Sequence, residues 1–156
     1  MKNNKGFTLI QLIISLIIMG LIVVFAVPKV NEYVLNKKKD KMIEDAKLFV
    51  EKTKKYIEMN DNAIKTFSGI FELQTVDAKK EIIKSPFGEN YGRKYQTIHP
   101  YVSMVFVTID YKDSYSYGVC LTDGKYTLDV KNIFELDSNK RYEKIRKYSF
   151  GDCDSV

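Results

Sequence analysis

Few residues of this 156-residue chain have the types and spacing that chemistry at a protein site needs. The one histidine, His99, stands directly before Pro100, and a lone histidine in an extended X-Pro dipeptide is more often structural or solvent-facing than catalytic. The two cysteines, Cys120 and Cys153, lie far apart, and no CxxC or Cys/His cluster accompanies them. The sequence therefore predicts no catalytic residue, no metal site and no cofactor.

Charged residues are distributed unevenly along the chain. Residues 7–27 form an uncharged run of 21 residues, long enough to cross a bilayer as a helix. All 20 acidic and 23 of the 25 basic residues follow that run, a surplus of three positive charges. Such a mild surplus is weak support for a dedicated nucleic-acid binder, which clusters its basic residues on one face. The basic run at 37–41 is predicted to be a solvated face that meets anionic lipid headgroups.

Three interpretations compete for the apolar run. A secretory signal peptide could be cleaved after Ala26, but the run is longer than the apolar core of about 7–15 residues that such peptides have. A plain N-terminal anchor is the second interpretation. The third depends on Lys5-Gly6-Phe7-Thr8-Leu9-Ile10, in which a short basic leader ends in a glycine placed before the hydrophobic run.

The stretch KGFTLIQ resembles the prepilin signal of the type IV pilin and pseudopilin family, a short basic leader ending in glycine, then Phe-Thr-Leu-Ile-Glu and an apolar helix. The resemblance implies cleavage between Gly6 and Phe7 by a prepilin peptidase, and N-methylation of the new Phe7 amine. It also implies that the apolar helix stays on the mature protein. Gly20 and Pro28 fall where the family places residues that loosen this helix during assembly, and both residue types weaken helices.

The resemblance also implies partners and a location. The subunit would be held in the cell membrane by one helix, with its C-terminal domain outside. An assembly platform protein and its ATPase would extract it, and it would pack against other pilin or pseudopilin subunits in a surface filament. The lysine count opposes this topology, because Lys29 and the lysines at 37–41 outnumber Lys2 and Lys5. A long translocated domain can escape that bias, so the outward orientation is retained.

Gln11 departs from the family pattern, which usually has glutamate at this position. That glutamate is thought to neutralise the terminal amine of an adjacent subunit, and a buried charge without its partner costs about 3–5 kcal/mol. A glutamine can accept a hydrogen bond from the amine but cannot balance its charge. One interpretation is that the filament tolerates glutamine at this position. The sharper hypothesis is that this chain is a minor subunit located near the filament tip.

The sequence predicts an α+β fold with four segments. Residues 1–6 are the leader, residues 7–28 the transmembrane and assembly helix, and residues 29–60 a helical stem with apolar residues at three- and four-residue steps. Residues 61–156 form the globular region, a small antiparallel sheet of about 3–5 strands that packs on the stem, followed by a C-terminal tail. Local patterns there predict strands at 70–73 and 102–109, a short helix at 76–83 and a turn at 85–92.

A β-hairpin is predicted around Asp123-Gly124, a strong two-residue turn signal. Pairing outward from that turn sets Thr122 opposite Lys125, Leu121 opposite Tyr126 and Val119 opposite Leu128. The face expected to pack on the helix then consists of Tyr117, Val119, Leu121, Tyr126, Leu128 and Val130.

This assignment places Cys120 on the outer face of the sheet. A disulfide with Cys153 would hold the C-terminal tail across that face, and the resemblance supports it, because pilins often close a C-terminal loop with such a bond. Two free thiols are the alternative. By the chain-entropy model, closing so long a loop stabilises the fold by about 3–4 kcal/mol.

These patterns together indicate a structural subunit of a type IV pilus or pilus-like filament, without catalysis. A pseudopilin of type II secretion or of competence DNA uptake is the alternative within the family. Outside it, the alternatives are a membrane-anchored surface binding domain that does not polymerise, or a secreted module. Eleven tyrosines allow stacking on DNA, but Tyr117 and Tyr126 are predicted to lie in the core, so DNA contact is the weaker interpretation. No dense run of Asp and Asn supports the calcium site of the family's secretion branch.

Overall fold

The computed structural model describes residues 8–60, 69–77, 79–82, 84–94, 101–109, 114–149 and 151–153. Helix α1 comprises Leu9–Met59, 51 residues, which confirms the prediction of one long N-terminal helix. The chain divides into two compact units, Met1–Lys37 and Lys38–Val156. In the second unit the buried side chains of α1 recur at helical spacing, so one stripe of the helix faces a core: Met42, Ile43, Asp45, Ala46, Phe49, Val50, Thr53 and Ile57.

The second unit contains a five-stranded antiparallel sheet with the strand order β1-β4-β5-β6-β7. Its strands are β1 (Gly69–Glu72), β4 (Met104–Ile109), β5 (Tyr115–Thr122), β6 (Tyr126–Val130) and β7 (Ile145–Lys147). The short helix α2 (Leu73–Val76) follows β1, and the 3₁₀ helices η1 (Ile133–Asp137) and η2 (Arg141–Lys144) connect β6 to β7. A separate two-stranded sheet pairs β2 (Arg93–Lys94) with β3 (Tyr101–Val102). The α+β class and the number of strands in the main sheet are as predicted.

The core lies between the buried stripe of α1 and the inner face of the main sheet. Phe49 and Met42 from the helix belong to the same cluster as inner-face residues of four strands, Val105, Val107, Val119, Leu121, Leu128, Val130 and Ile145. Tyr117 and Tyr126 pack against this cluster, so the predicted inner face of the hairpin is confirmed. A second, smaller cluster on the outer face contains Phe106, Cys120 and Cys153.

The predicted hairpin register is wrong by two residues. Thr122 pairs with Thr127, Leu121 with Leu128, and Val119 with Val130. The turn is longer than predicted because the Asp123 carboxylate accepts hydrogen bonds from the backbone N–H groups of Lys125 and Tyr126, both at 2.8 Å. A slip of two residues leaves every side chain on its original face, which is why the face prediction survived the register error.

The strand predicted at 102–109 is divided at Ser103. Val102 belongs to β3 and pairs with β2, whereas Met104 begins β4 in the main sheet. The buried Ser103 hydroxyl donates to the Thr122 carbonyl and accepts from the Thr122 N–H, each at 3.0 Å. A side chain thus takes the place of backbone pairing where the chain changes sheets.

The helix predicted at 76–83 is wrong: the helix that forms is α2, which ends at Val76. Asp77 follows it, and its carboxylate accepts from the N–H of Glu81 at 3.1 Å and of Ile82 at 2.7 Å. Lys80 has a positive φ of 53°. An aspartate that binds nearby N–H groups competes with the helical hydrogen-bond ladder, so the chain folds around the carboxylate instead. The turn predicted at 85–92 is present.

Candidate functional site

The N-terminus of α1 is closed by a reciprocal pair of hydrogen bonds. Thr8, the residue before the helix, donates its backbone N–H to Oε1 of Gln11 at 3.0 Å, and its hydroxyl accepts the Gln11 N–H at 3.4 Å. This is a capping box, which satisfies two of the donors that a helix N-terminus otherwise leaves without partners. The Gln11 amide oxygen therefore has a partner within its own chain.

The first nineteen residues of α1, from Leu9 to Val27, present an apolar surface on all sides. One stretch of the helix is long and apolar enough to cross a membrane, and none of it is buried. A helix that is hydrophobic all round needs lipid or other apolar helices around it. The large exposed side chains include Leu9, Ile10, Leu12, Ile13, Ile14, Leu16, Ile17, Ile18, Met19, Leu21, Ile22, Val23, Val24, Phe25 and Val27.

Gly20 and Pro28 both lie inside continuous α-helix. A Cβ added at Gly20 would meet no atom within 4 Å, so no close contact in this structure requires a glycine there. Their predicted role in loosening the helix during assembly stays a prediction. Gly6 and Phe7, the predicted cleavage and methylation residues, lie outside the described residues, as does His99.

Lys37, Lys38 and Lys41 are exposed and Lys39 is half-buried, so a solvated basic face is present as predicted, although several of these lysines also have contacts within the chain. Lys37 lies over the ring of Tyr33, with Nζ 5.7 Å from the ring centroid. In the second unit, Lys39 donates to the Tyr142 carbonyl at 3.4 Å, and Lys41 pairs with Asp45 at 2.9 Å. The contacts of Lys37 and Lys41 are with residues four positions away on the same helix, whereas Lys39 contacts a residue distant in sequence.

A buried polar pair fixes the turn at 85–92 to α1. The Tyr91 hydroxyl donates to Asp45 Oδ2 at 3.2 Å, and both residues are buried. Burial, together with the negative charge of Asp45, raises the pKa of the Tyr91 phenol far above its ordinary value. The phenol therefore stays protonated and acts as a hydrogen-bond donor, a structural role rather than that of a base or nucleophile.

The C-terminal tail is fixed to the outer face of the sheet at two points. A disulfide joins Cys120 of β5 to Cys153, with the Cα atoms 5.5 Å apart, which confirms the predicted bond. One residue earlier, Asp152 pairs with Arg146 of β7 and accepts the Ser149 N–H at 2.8 Å. Burial alone would raise the pKa of the Asp152 carboxyl, but the Arg146 guanidinium and the Ser149 N–H outweigh it and hold that pKa below its ordinary value.

Among the residues that the structure describes, no group of three or more His, Cys, Asp and Glu side chains is arranged to hold a metal ion. The features that stand out are the exposed apolar helix, its capped start and the clamped tail. Such features suit packing between helices and presentation of a stable domain.

Residues 1–27 match the family model described as the prokaryotic N-terminal methylation motif. The chain carries a type IV prepilin-type signal. This motif supports a type IV pilin-like protein that is anchored in a membrane, processed by a prepilin peptidase and assembled with other pilin subunits. Type IV pilins are structural rather than enzymatic proteins. No curated protein and no solved structure matches the chain.

The prepilin-type signal and α1 form one continuous stretch of sequence, since the match extends to Val27, well inside the helix. The motif therefore includes both the leader and most of the exposed apolar surface. Sequence reasoning missed the capping box, although the spacing Thr-x-x-Gln directly before an apolar run is its recognised signature. It also missed the Arg146–Asp152 pair, for which no local pattern gives a signal.

Proposed function

We propose that this protein is a minor structural subunit of a type IV pilus or pilus-like filament. Its prepilin-type signal, continuous with a helix that exposes apolar side chains all round, is the observation that carries the proposal. In the membrane that surface is solvated by lipid. In a filament the same surface would be buried against the corresponding helices of neighbouring subunits, while the disulfide-clamped domain faces outward.

Processing at Gly6 is the first test. We expect the mature protein to begin at an N-methylated Phe7, because a peptidase that cuts ahead of the apolar run leaves the assembly helix intact. Mass spectrometry of the mature N-terminus measures this directly. A mature terminus at Val27 would instead indicate an ordinary secretory signal peptide and would refute the proposal.

A matched pair of glycine variants sharpens that test. Gly6→Asp should abolish processing and leave the full-length precursor in the membrane. Gly20→Ala changes a glycine of the apolar helix, at a position with open space around it, and should leave processing unchanged. Loss of processing in both variants would point to a general defect of membrane insertion rather than to the cleavage site.

The neutral side chain of Gln11 supports the minor-subunit part of the proposal. Its Oε1 accepts the Thr8 N–H, a contact that glutamate would also make, so the difference between the two residues is the charge alone. A neutral amide also cannot balance the positive charge of such an amine in an apolar bundle. A subunit with this side chain suits a position where no further subunit is added beside its N-terminus.

Gln11→Glu tests this assignment, because a carboxylate retains the capping geometry and adds the missing negative charge. We expect the variant to enter the filament shaft in larger amounts, whereas the wild-type chain stays sparse and near one end. Immunogold electron microscopy of sheared filaments, with quantification against the major subunit, would show both properties. Unchanged amount and position would refute the minor-subunit assignment without affecting the pilin proposal.

A further inference from the structure

We propose that Lys29, Tyr33 and Lys37 form a contact site for anionic phospholipid headgroups that sets the depth of α1 in the bilayer. The inference rests on the membrane-anchored state of the proposed function and does not depend on filament assembly. Below, these three residues are called the headgroup stripe.

The headgroup stripe occupies one face of α1. Its residues are spaced by four, and residues four apart on an α-helix lie on the same face, one above the other. Tyr33 is 64% exposed and the ammonium group of Lys37 lies 5.7 Å from the centroid of its ring. Helical side chains point back toward the N-terminus, so Lys37 extends along the tyrosine toward the apolar segment rather than away from it.

The positions of Lys29 and Tyr33 along the helix match the membrane interface, and Lys37, about 12 Å beyond Lys29, reaches back toward it along the Tyr33 ring. At about 1.5 Å per residue, the twenty residues from 9 to 28 span about 30 Å, the thickness of the hydrocarbon core. Lys29 is then at the edge of the hydrocarbon, and Tyr33 is about 6 Å farther out, within a headgroup layer about 5–7 Å thick. Tyrosine prefers this layer, because its ring is apolar and its hydroxyl is polar.

The charge of the stripe selects the partner. Two lysines contribute positive charge to this face, while the acidic Glu32 lies one residue from Tyr33 and therefore about 100° around the helix. Lys39 and Lys41, by contrast, contact groups of the second unit. An anionic headgroup phosphate complements the two ammonium groups, and the Tyr33 hydroxyl can donate a further hydrogen bond to it. This also gives the basic residues after the apolar run a function other than setting topology.

The chain contains no tryptophan, so Tyr33→Trp introduces a single fluorescent reporter into the stripe. The full-length variant would be reconstituted in phosphatidylcholine vesicles that contain, at equal mole fraction, either brominated phosphatidylglycerol or brominated phosphatidylcholine. Bromine quenches tryptophan at short range. We expect the anionic brominated lipid to quench at least threefold more effectively at low mole fraction, because each lysine near the surface favours anionic lipid by about fivefold (about 1 kcal/mol).

Matched charge variants test the lysines. In the Tyr33→Trp background, Lys29→Gln/Lys37→Gln should remove the preference for the anionic lipid. Lys79→Gln/Lys131→Gln removes the same charge at two exposed positions outside the stripe and should retain the preference. Raising the salt concentration to about 0.5 M should weaken the preference of the Tyr33→Trp protein for anionic lipid. The same change should leave the Lys29→Gln/Lys37→Gln variant unaffected. Val34→Trp provides a second reporter that keeps the native Tyr33. In this background, too, Lys29→Gln/Lys37→Gln should remove the preference for the anionic lipid.

Equal quenching by the two brominated lipids, with both reporters, would overturn the inference. So would equal loss in the two charge variants, which would show that total charge and not the stripe attracts the lipid. If lipid preference is absent but Lys29→Gln/Lys37→Gln lowers incorporation into filaments, the stripe contacts a neighbouring subunit instead. Failure of the pilin proposal would appear separately, as a mature terminus other than Phe7.

Discussion

Asp77 lies in the segment predicted to be a helix, 76–83, and its buried carboxylate explains why that helix does not form. It binds the backbone N–H groups of Glu81 and Ile82, and it pairs with Lys52 of α1 at 3.0 Å. Burial alone would raise the pKa of the Asp77 carboxyl, but these donors and the ammonium group outweigh it and hold the pKa below its ordinary value. The ionised form is therefore stabilised by folding, and it connects the loop after α2 to the stem helix.

Asp77→Asn should lower the free energy of unfolding by about 1–3 kcal/mol at pH 7, since hydrogen bonds to a charged acceptor are lost or weakened. Because the folded pKa is depressed, the carboxylate's contribution is fully present above its unfolded pKa of about 3.9 and is lost as the pH falls through the folded pKa. The difference between wild type and variant should thus be constant above about pH 5 and shrink below pH 4. Guanidinium unfolding over this range measures it.

Asp137→Asn is the matched control, because that carboxylate also pairs with a lysine of α1 but is 62% exposed. It should change stability by less than about 0.5 kcal/mol at any pH. A difference between wild type and Asp77→Asn that grows on acidification would contradict the sign assigned here.

Gly118 marks a close approach between β5 and the end of β6. A Cβ at this position would lie 2.8 Å from the Lys131 carbonyl oxygen and 3.0 Å from that of Val130. Gly118→Ala should therefore destabilise the domain by about 1–3 kcal/mol, because backbone atoms must move to admit the methyl group. Thermal unfolding followed by circular dichroism would show it. Ser116→Ala, two residues earlier on the same face, is the control and should reduce stability by less than about half of the loss in Gly118→Ala. Equal losses of stability in the two variants would contradict the steric explanation.

At the scale of elements, a disulfide and an ion pair attach the C-terminal tail to the main sheet. Cys120 belongs to β5, the central strand of the sheet, and Cys153 lies beyond β7, so the disulfide connects an interior strand to the segment after the edge strand. The Arg146–Asp152 pair holds that segment to β7 next to the bond. The tail is thereby attached across the outer face, where Phe106 and Met104 pack against the cystine.

Removing the disulfide should cost about 3–4 kcal/mol, the chain-entropy value for a sequence separation of 33 residues. The variant Cys120→Ala/Cys153→Ala avoids leaving a reactive thiol. Guanidinium unfolding with and without a reducing agent gives the comparison: reduction should lower the stability of the wild type toward that of the variant and leave the variant unchanged. A wild-type chain that unfolds at the same denaturant concentration under both conditions would contradict this prediction.

At the scale of the whole molecule, the two units use apolar residues differently. The core cluster of the second unit draws its helix residues from Met42 onward, whereas the apolar side chains from Leu9 to Val27 are exposed. One unit is stabilised by its own core, and the other needs lipid or neighbouring helices. This division fits the proposed function, in which the subunit moves from a membrane into a filament.

A chain of residues 29–156 should therefore fold with nearly the stability of the full-length protein. We expect free energies of unfolding that agree within about 0.5 kcal/mol when both are measured in the same detergent solution, because no residue of the core cluster is removed. It should also remain soluble without detergent. A loss above about 1 kcal/mol, or a non-cooperative transition, would show that the apolar segment contributes to the folding of the domain.

The long helix, the class of fold and the inner face of the hairpin were predictable because they depend on periodicity. Helical and strand periods place apolar residues on one side regardless of what they contact, and a two-residue slip such as that between Thr122 and Thr127 preserves the face. The short helix after β1 and the turn at Asp123 were not predictable in the same way. There a carboxylate competes with backbone pairing, and the outcome depends on which N–H groups the fold brings near it.

By itself, the sequence determined the N-terminal part of this protein: a basic leader, a glycine before an apolar run, and a span long enough for a bilayer. These features depend only on composition and on the order of residues. A peptidase can therefore recognise them, and a membrane can take up the apolar run, without any tertiary contact. Only the tertiary structure decided that Lys39 contacts Tyr142, that Asp77 pairs with Lys52, and that Cys153 reaches Cys120. Each of those contacts joins residues distant in sequence, and the free energy of such a contact is set by burial and by partners that folding alone brings together.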